Sequence, residues 1–288
     1  MPTRLQIAKK DIINAFENGG LRIFRLKDIQ RLLEENRGFW RLAQSTSRNA
    51  FIDFLLKNTP LTKVRLAFPS RPEILYVWGN ESALKIATAL HPQAYLCHYT
   101  AIFIHQLTEQ IPKIVYVNIE QTPKPTPAGI TSQEAVDRAF KGNPRETNNV
   151  AEYDNLKICV ISGKSTGRLG VTNLNYENQP VPCTDLERTL LDAVVRPFYN
   201  GGVFEVLNYF RKAKGTLSVN RLASYLKKIN YVYPYQQSIG FYLERAGYSD
   251  SQIGIIEDMR TSWDFYLGYR LQDPDYSQRW KLYYPKGI

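Results

Sequence analysis

Along residues 1–80 the apolar positions predict three helices followed by a hairpin. Leu5, Ala8, Ile12, Ala15 and Phe16 recur at helical spacing, and Gly19-Gly20 ends that run. Ile29, Leu32 and Leu33 mark a second helix over about Lys27–Glu35, broken at Gly38. A third begins near Ser45-Thr46-Ser47, any of which can cap it, and stops at Asn58-Thr59-Pro60. Its inward positions are Ala50, Phe51, Phe54 and Leu55, with Ile52 and Leu56 flanking the exposed face. Lys63–Phe68 then alternates with period two, so that Val64, Leu66 and Phe68 share one face. Pro69-Ser70-Arg71-Pro72 turns the chain and Glu73–Trp78 returns.

Helices are expected next over Glu81–Leu90, Tyr95–Leu107, Ser132–Lys141, Val203–Ala213, Val219–Ile229, Pro234–Ala246 and Ile253–Met259. Strands are expected over Lys113–Ile119 and Leu156–Ser162, with Gly167–Thr172 extending the sheet, and over Trp263–Leu267 and Trp280–Tyr284. Gln121–Gly129, with three prolines, reads as a loop. Between these lies Pro180–Gly202. Its prolines at 180 and 182 predict a turn, and Thr184 and Glu187 stand at capping-box spacing. Leu186, Thr189, Leu190, Ala193 and Val194 form one helical face, and Arg188, Asp192 and Arg196 run along another where they can pair. Pro197 stops this helix and Gly201-Gly202 permits a tight turn into the next.

Three helices and a hairpin are the order of a winged helix-turn-helix. The expected fold is therefore α+β, with such a domain over 1–80 and a larger mixed domain over 81–288. Charge sharpens this reading. The chain carries a net +10, and residues 1–80 hold 14 Lys and Arg against 7 Asp and Glu. A local basic excess fits a polyanionic partner, because neutralising phosphates releases counterions. In that geometry the first turn of the third helix meets base edges. Here it offers Thr46, Ser47, Arg48 and Asn49, preceded by Arg41, Gln44 and Ser45. Arg and Asn are the side chains that pair bidentately with guanine and adenine. Lys63, Arg65 and Arg71 on the hairpin are placed for phosphate or minor groove. A basic solvated surface, or a winged helix used for protein docking, are the competing readings.

Catalytic chemistry finds little footing. Gly163-Lys164-Ser165-Thr166 lacks the glycine a phosphate loop needs five residues before its Gly-Lys pair, since Ile158 stands there; a hairpin turn with a basic tip is the better account. His91, Cys97, His98 and His105 fit no zinc spacing, so no metal or cofactor is expected. Asp185, Glu187, Asp192 and Glu244 could build an acid–base pair, but Arg188 and Arg245 beside them favour ion pairs that tie helices together. The three cysteines, far apart, and the absence of a signal-like or spanning segment point to a cytoplasmic protein with no membrane partner.

The run TDLERTLLDAVVRPFYNGG, with YLCHYTAIFIHQLTEQIPKIVYV, YPYQQSIGFYLERAG and RWKLYYP, resembles the AbiEi family of antitoxins and transcriptional autoregulators of bacterial type IV toxin–antitoxin pairs. The resemblance implies repression of the chain's own operon through double-stranded operator DNA, and protection against a nucleotidyltransferase-like toxin without a required stable complex. The residues matching its stretches are Thr184, Asp185, Glu187, Arg188, Asp192, Gly201, Gly202, Glu244 and Arg245. It implies no catalytic residue. An enzyme that modifies the toxin covalently, or a ligand-responsive regulator, are the alternatives.

Overall fold

The computed structural model describes residues 2–125, 129–130 and 132–288; residues 126–128 of the expected proline loop lie outside the described residues. The chain opens with α1 (Arg4–Ile7), α2 (Lys9–Asn18), β1 (Ile23–Phe24), α3 (Leu26–Asn36), α4 (Arg48–Asn58), β2 (Leu61–Leu66) and β3 (Glu73–Trp78). The strands form an antiparallel sheet in the order β1-β3-β2. β1, too short to show a period, was not expected. α4 packs on both α3 and β2, and its buried side widens to Phe51, Ile52, Phe54 and Leu55. Ile52 is therefore inside and Ala50 exposed, the reverse of their expected places.

β3 is buried on both faces. Tyr76 and Trp78 join the helical core of Phe16, Phe24, Ile29, Phe51 and Leu55. Leu75 and Val77, with Leu66 and Phe68 from β2 and its loop, join a second core that includes Ile86, Val117, Ile158 and Val181. Residues on either side of position 80 thus share one apolar interior. Cutting the chain there would bare it, so functional tests belong on the full chain.

Next come α5 (Ala83–Ala89), β4 (Tyr95–Leu96), α6 (His98–Ile104), β5 (Ile114–Asn118), α7 (Gln133–Lys141), β6 (Val150–Tyr153), β7 (Leu156–Ile161), β8 (Val171–Tyr176) and β9 (Gln179–Thr184). They build a six-stranded mixed sheet in the order β6-β7-β5-β4-β9-β8. Val115, Val117, Ile158 and Val160 face α5, while Tyr116, Cys159 and Ile161 face the opposite side with Tyr95 and Tyr199. The expected helix at Tyr95 begins three residues later, because Tyr95 and Leu96 pair with Asn118 and Val117.

β9 overturns the turn expected at the two prolines. Glu177 and Asn178, both with positive φ (50° and 59°), close a two-residue hairpin that pairs Tyr176 with Gln179. Gln179, Val181 and Cys183 then take the hydrogen-bonded positions, and Pro180 and Pro182 fall at the alternating ones, where no N–H is required by β8.

The rest is helical: α8 (Leu186–Val195), a 3-10 turn (Pro197–Tyr199), α9 (Val203–Lys212), α10 (Val219–Ile229), α11 (Tyr235–Arg245) and α12 (Asp250–Glu257). A small sheet of β10 (Phe265–Tyr266), β11 (Asp275–Ser277) and β12 (Leu282–Tyr284) closes the chain. α8 lies against α6, α9, α10 and α11. It is buried from Glu187 to Val194 rather than along one face, as a helix wrapped by others must be. Among the described residues no helix is long and apolar enough to cross a membrane. The fold is mixed α+β.

Candidate functional sites

The surface expected to read bases lies at the start of α4. Ser47 caps the helix, its Oγ accepting the Ala50 N–H at 3.2 Å. Arg41, Gln44, Ser45, Ser47, Arg48, Asn49, Lys63, Arg65 and Arg71 are exposed and Thr46 is half-buried. The α3–α4 connection spans 37–47, longer than the three or four residues of a simple helix-turn-helix turn. Arg37 shapes it, donating to the carbonyls of Ala43 at 2.7 Å and Thr46 at 3.2 Å. Lys63 stands opposite Tyr76 in the β2–β3 ladder. Burial raises the Tyr76 phenol above its ordinary value, with the nearby Arg48 charge opposing and Asp53 adding to the shift. The Arg48 guanidinium donates to Gln30 of α3 at 3.1 Å, and α4 packs against β2, the strand that carries Lys63 and Arg65. Arg71 at the hairpin tip is paired with Glu73 at 2.8 Å. The exposed Asp53 puts one negative charge on this otherwise basic helix face.

The four candidate carboxylates of the second region, Asp185, Glu187, Asp192 and Glu244, are engaged structurally. Asp185, not Thr184, caps α8: its Oδ1 accepts the Arg188 N–H at 2.9 Å, and its Oδ2 accepts from Tyr225 at 2.6 Å. The expected capping box does not form. Thr184 is buried and its hydroxyl lies 2.7 Å from that of Thr189. Glu187 leans away to accept the Ser218 N–H at 2.9 Å and a proton of Arg221 at 3.2 Å. Arg188 and Asp192 do pair, at 2.8 Å, but in the interior and without Arg196. Burial alone would lower the Arg188 guanidinium; the charge and hydrogen bond of Asp192, together with Tyr231 and Tyr95, outweigh it and raise it. Glu244 accepts from Arg279 and from the Trp280 indole, both at 2.7 Å. Arg245 stacks on Phe241, 5.2 Å from its ring centroid. Gly201 and Gly202 hold φ of 82° and 94°, which lets the chain turn directly into α9.

Gly163–Thr166 is not a free basic tip. The Thr166 N–H and hydroxyl and the Arg168 N–H all donate to the Glu120 carboxylate, the first at 2.9 Å. Tyr95 donates to the same carboxylate at 3.0 Å. The Gly163 N–H goes to Asn118 at 2.9 Å, and Arg188 reaches the Thr166 hydroxyl at 3.1 Å. Amides that a phosphate loop would offer to a ligand are thus spent on an internal carboxylate. Lys164 turns outward and caps α10, donating to the Ile229 and Asn230 carbonyls at 2.6 and 2.8 Å. Among the described residues no group of His, Cys, Asp and Glu is arranged to hold a metal ion. His98 contacts Asn200 at 3.1 Å and His105 the Thr184 carbonyl at 2.8 Å.

Glu120 escaped the sequence reading because its partners lie 46 and 48 residues away. Burial pushes its carboxyl up, but the hydrogen bonds from Thr166, Tyr95 and Arg168 outweigh that and hold it below its ordinary value. The folded value then lies below the unfolded one of about 4.3, so this stabilisation is complete above that pH and fades as pH falls through the folded value. Thermal melts over about pH 6 to 3 should show Glu120→Gln losing less stability on acidification than the parent; parallel curves would contradict the assignment.

Residues 95–117 meet the start of the α8 segment, and residues 233–247 meet residues 279–285. Leu96 pairs with Cys183, and His105 reaches Thr184. Gln237 Nε2 donates to the carbonyls of Trp280 and Lys281 at 2.8 and 3.0 Å.

No family profile and no curated protein matches the chain. Among solved structures it is similar to the crystal structure of the RV2827C protein from Mycobacterium tuberculosis. The TM-score is 0.61 at 11% identity, over 99% of this chain and 92% of that one, a likeness of fold alone.

Proposed function

We propose that the chain is a duplex-DNA-binding autorepressor with an antitoxin body, the type IV role implied by its resemblance to the AbiEi family. The N-terminal region is a winged helix-turn-helix with an enlarged turn: α4 is its reading helix and the β2–β3 hairpin its wing. The observation that carries this reading is the exposure of Arg48 and Asn49 at the start of α4 and of Lys63 and Arg65 on β2, the strand packed against it. In this reading Arg48 and Asn49 read bases and Lys63 and Arg65 hold phosphates. Among the described residues, only Arg31 and Arg71 of the 14 basic residues in 1–80 lie within 4.0 Å of a carboxylate, so most of this charge is available to a polyanion. The body antagonises a nucleotidyltransferase-like toxin. The carboxylates of the resembling stretches, engaged in caps and ion pairs, favour antagonism by binding over covalent modification.

Arg48→Ala and Asn49→Ala are each expected to weaken binding to the chain's own upstream DNA by about 1–3 kcal/mol, with a smaller loss on random duplex. Lys63→Ala should weaken both duplexes alike and flatten the salt dependence. Fluorescence anisotropy on the two duplexes reads these differences. Equal losses on both for Arg48 and Asn49 would reassign them to backbone contacts.

A further inference from the structure

A cleft in the body remains unassigned by this reading. It has a volume of about 520 Å³, within the range of small-molecule sites, and lies between the loop after β5 and the α10–α11 connection. Lys124, Lys164 and Arg196 supply its charge, and the partly exposed Tyr231 and Tyr233, with the buried Tyr235 behind them, its aromatic lining. Lys164 Nζ sits 5.6 Å from the centroid of the Tyr231 ring. Behind it, a cavity of about 50 Å³ shares Lys164, Arg196 and Tyr231 and is floored by His98, Asn118 and the Arg188–Asp192 pair.

Three cations converge on this cleft and no carboxylate lines its mouth. Arg196 is half-buried, and among the described residues no carboxylate lies within 4.0 Å of it. Of the Arg188–Asp192–Arg196 row, Arg188 and Asp192 pair with each other, and among the described residues Arg196 has no partner of opposite charge. A partly exposed guanidinium with no carboxylate beside it leaves planar donors open to an anionic ligand. Beside it, tyrosine faces offer stacking to a planar ring at little cost in side-chain entropy. The Gly163–Thr166 segment offers no amide cradle, since its Thr166 amide is taken by Glu120; it lines the cleft with Lys164 and Ser165.

We propose that this cleft binds a nucleotide, its phosphates on Arg196, Lys124 and Lys164 and its base against Tyr231 and Tyr233. The site is separate from the DNA-facing surface, so it stands or falls independently of repression.

Isothermal titration of the full chain with ATP, adenosine and inorganic phosphate tests it. ATP is expected to bind, and adenosine and phosphate each to bind at least about tenfold more weakly, since each makes only half of the contacts. Arg196→Gln and Lys124→Gln should each weaken ATP binding by about tenfold or more. Lys124 is exposed on its loop, so its variant reports on the site even if Arg196→Gln disturbs the fold. Tyr233→Leu should reduce affinity for ATP while leaving that for phosphate unchanged. No binding of ATP by the parent chain would overturn the proposal. So would ATP affinity unchanged in both charge variants, or inorganic phosphate binding as tightly as ATP.

Discussion

Replacing Arg188 with methionine is expected to destabilise the chain by about 3–5 kcal/mol, read as a shift in the urea-unfolding midpoint. The Arg188 side chain is only 5% exposed. It makes three bonds at once, to Asp192 at 2.8 Å, to the Thr166 hydroxyl at 3.1 Å and to the Leu169 carbonyl at 2.7 Å. Methionine retains much of the volume but leaves a buried carboxylate without its counter-charge, and that is the costly half of breaking an interior ion pair. Gly170 shows how closely the site is built, since a Cβ added there would lie 2.7 Å from that of Arg188. The double variant Arg188→Met with Asp192→Leu removes both charges and is expected to recover most of the loss. A double variant as unstable as the sum of the singles would mean that the packing of the arginine stem matters here, and not the charge.

Trp280→Ala is expected to cost a similar amount, about 3–5 kcal/mol, for a different reason. Trp280 is fully buried, and its ring lies directly over the α11 backbone. A Cβ built on Gly240 would stand 2.0 Å from the ring, so the helix carries glycine where the indole lands. Glycine in a helix interior ordinarily costs about 1 kcal/mol relative to alanine. At this position the sign reverses, and Gly240→Ala should destabilise, because the ring has no free space to move into. The indole N–H also satisfies Glu244 at 2.7 Å, so truncating the ring removes a polar bond together with the packing. Calorimetric melting of Trp280→Ala, Gly240→Ala and the pair tests the contact. Strong non-additivity is expected, since with the ring gone the added methyl has room. Additive losses would show that the two residues act separately.

Much of this architecture was legible in the sequence. The helices around Ile12, Ile29 and Phe54 and those of the C-terminal half announce themselves through their apolar period. The failures have common causes. β1 and β4 are two residues long and carry no period. Pro180 and Pro182 are tolerated because the hairpin register puts them at positions where β8 needs no donor. The capping residue of α8 fell one place later than expected because two side chains compete for the task. Asp185 takes the Arg188 amide, while Thr184 is drawn to Thr189 and Glu187 to Ser218 and Arg221. For the sites, exposure of the basic residues of 1–80 follows from their type and position. The cleft around Arg196 was not legible, since it joins residues 124, 164, 196 and 231–235 that no local pattern connects.

The most direct test of the whole reading is the salt dependence of duplex binding by the full chain. Affinity for its own upstream DNA, measured over roughly 50 to 200 mM salt, should fall steeply and linearly on logarithmic axes, with a shallower slope for Lys63→Ala than for the parent. An affinity for duplex that does not change with salt, or no measurable binding at the lowest salt, would contradict a DNA-reading role for α4 and the hairpin beside it.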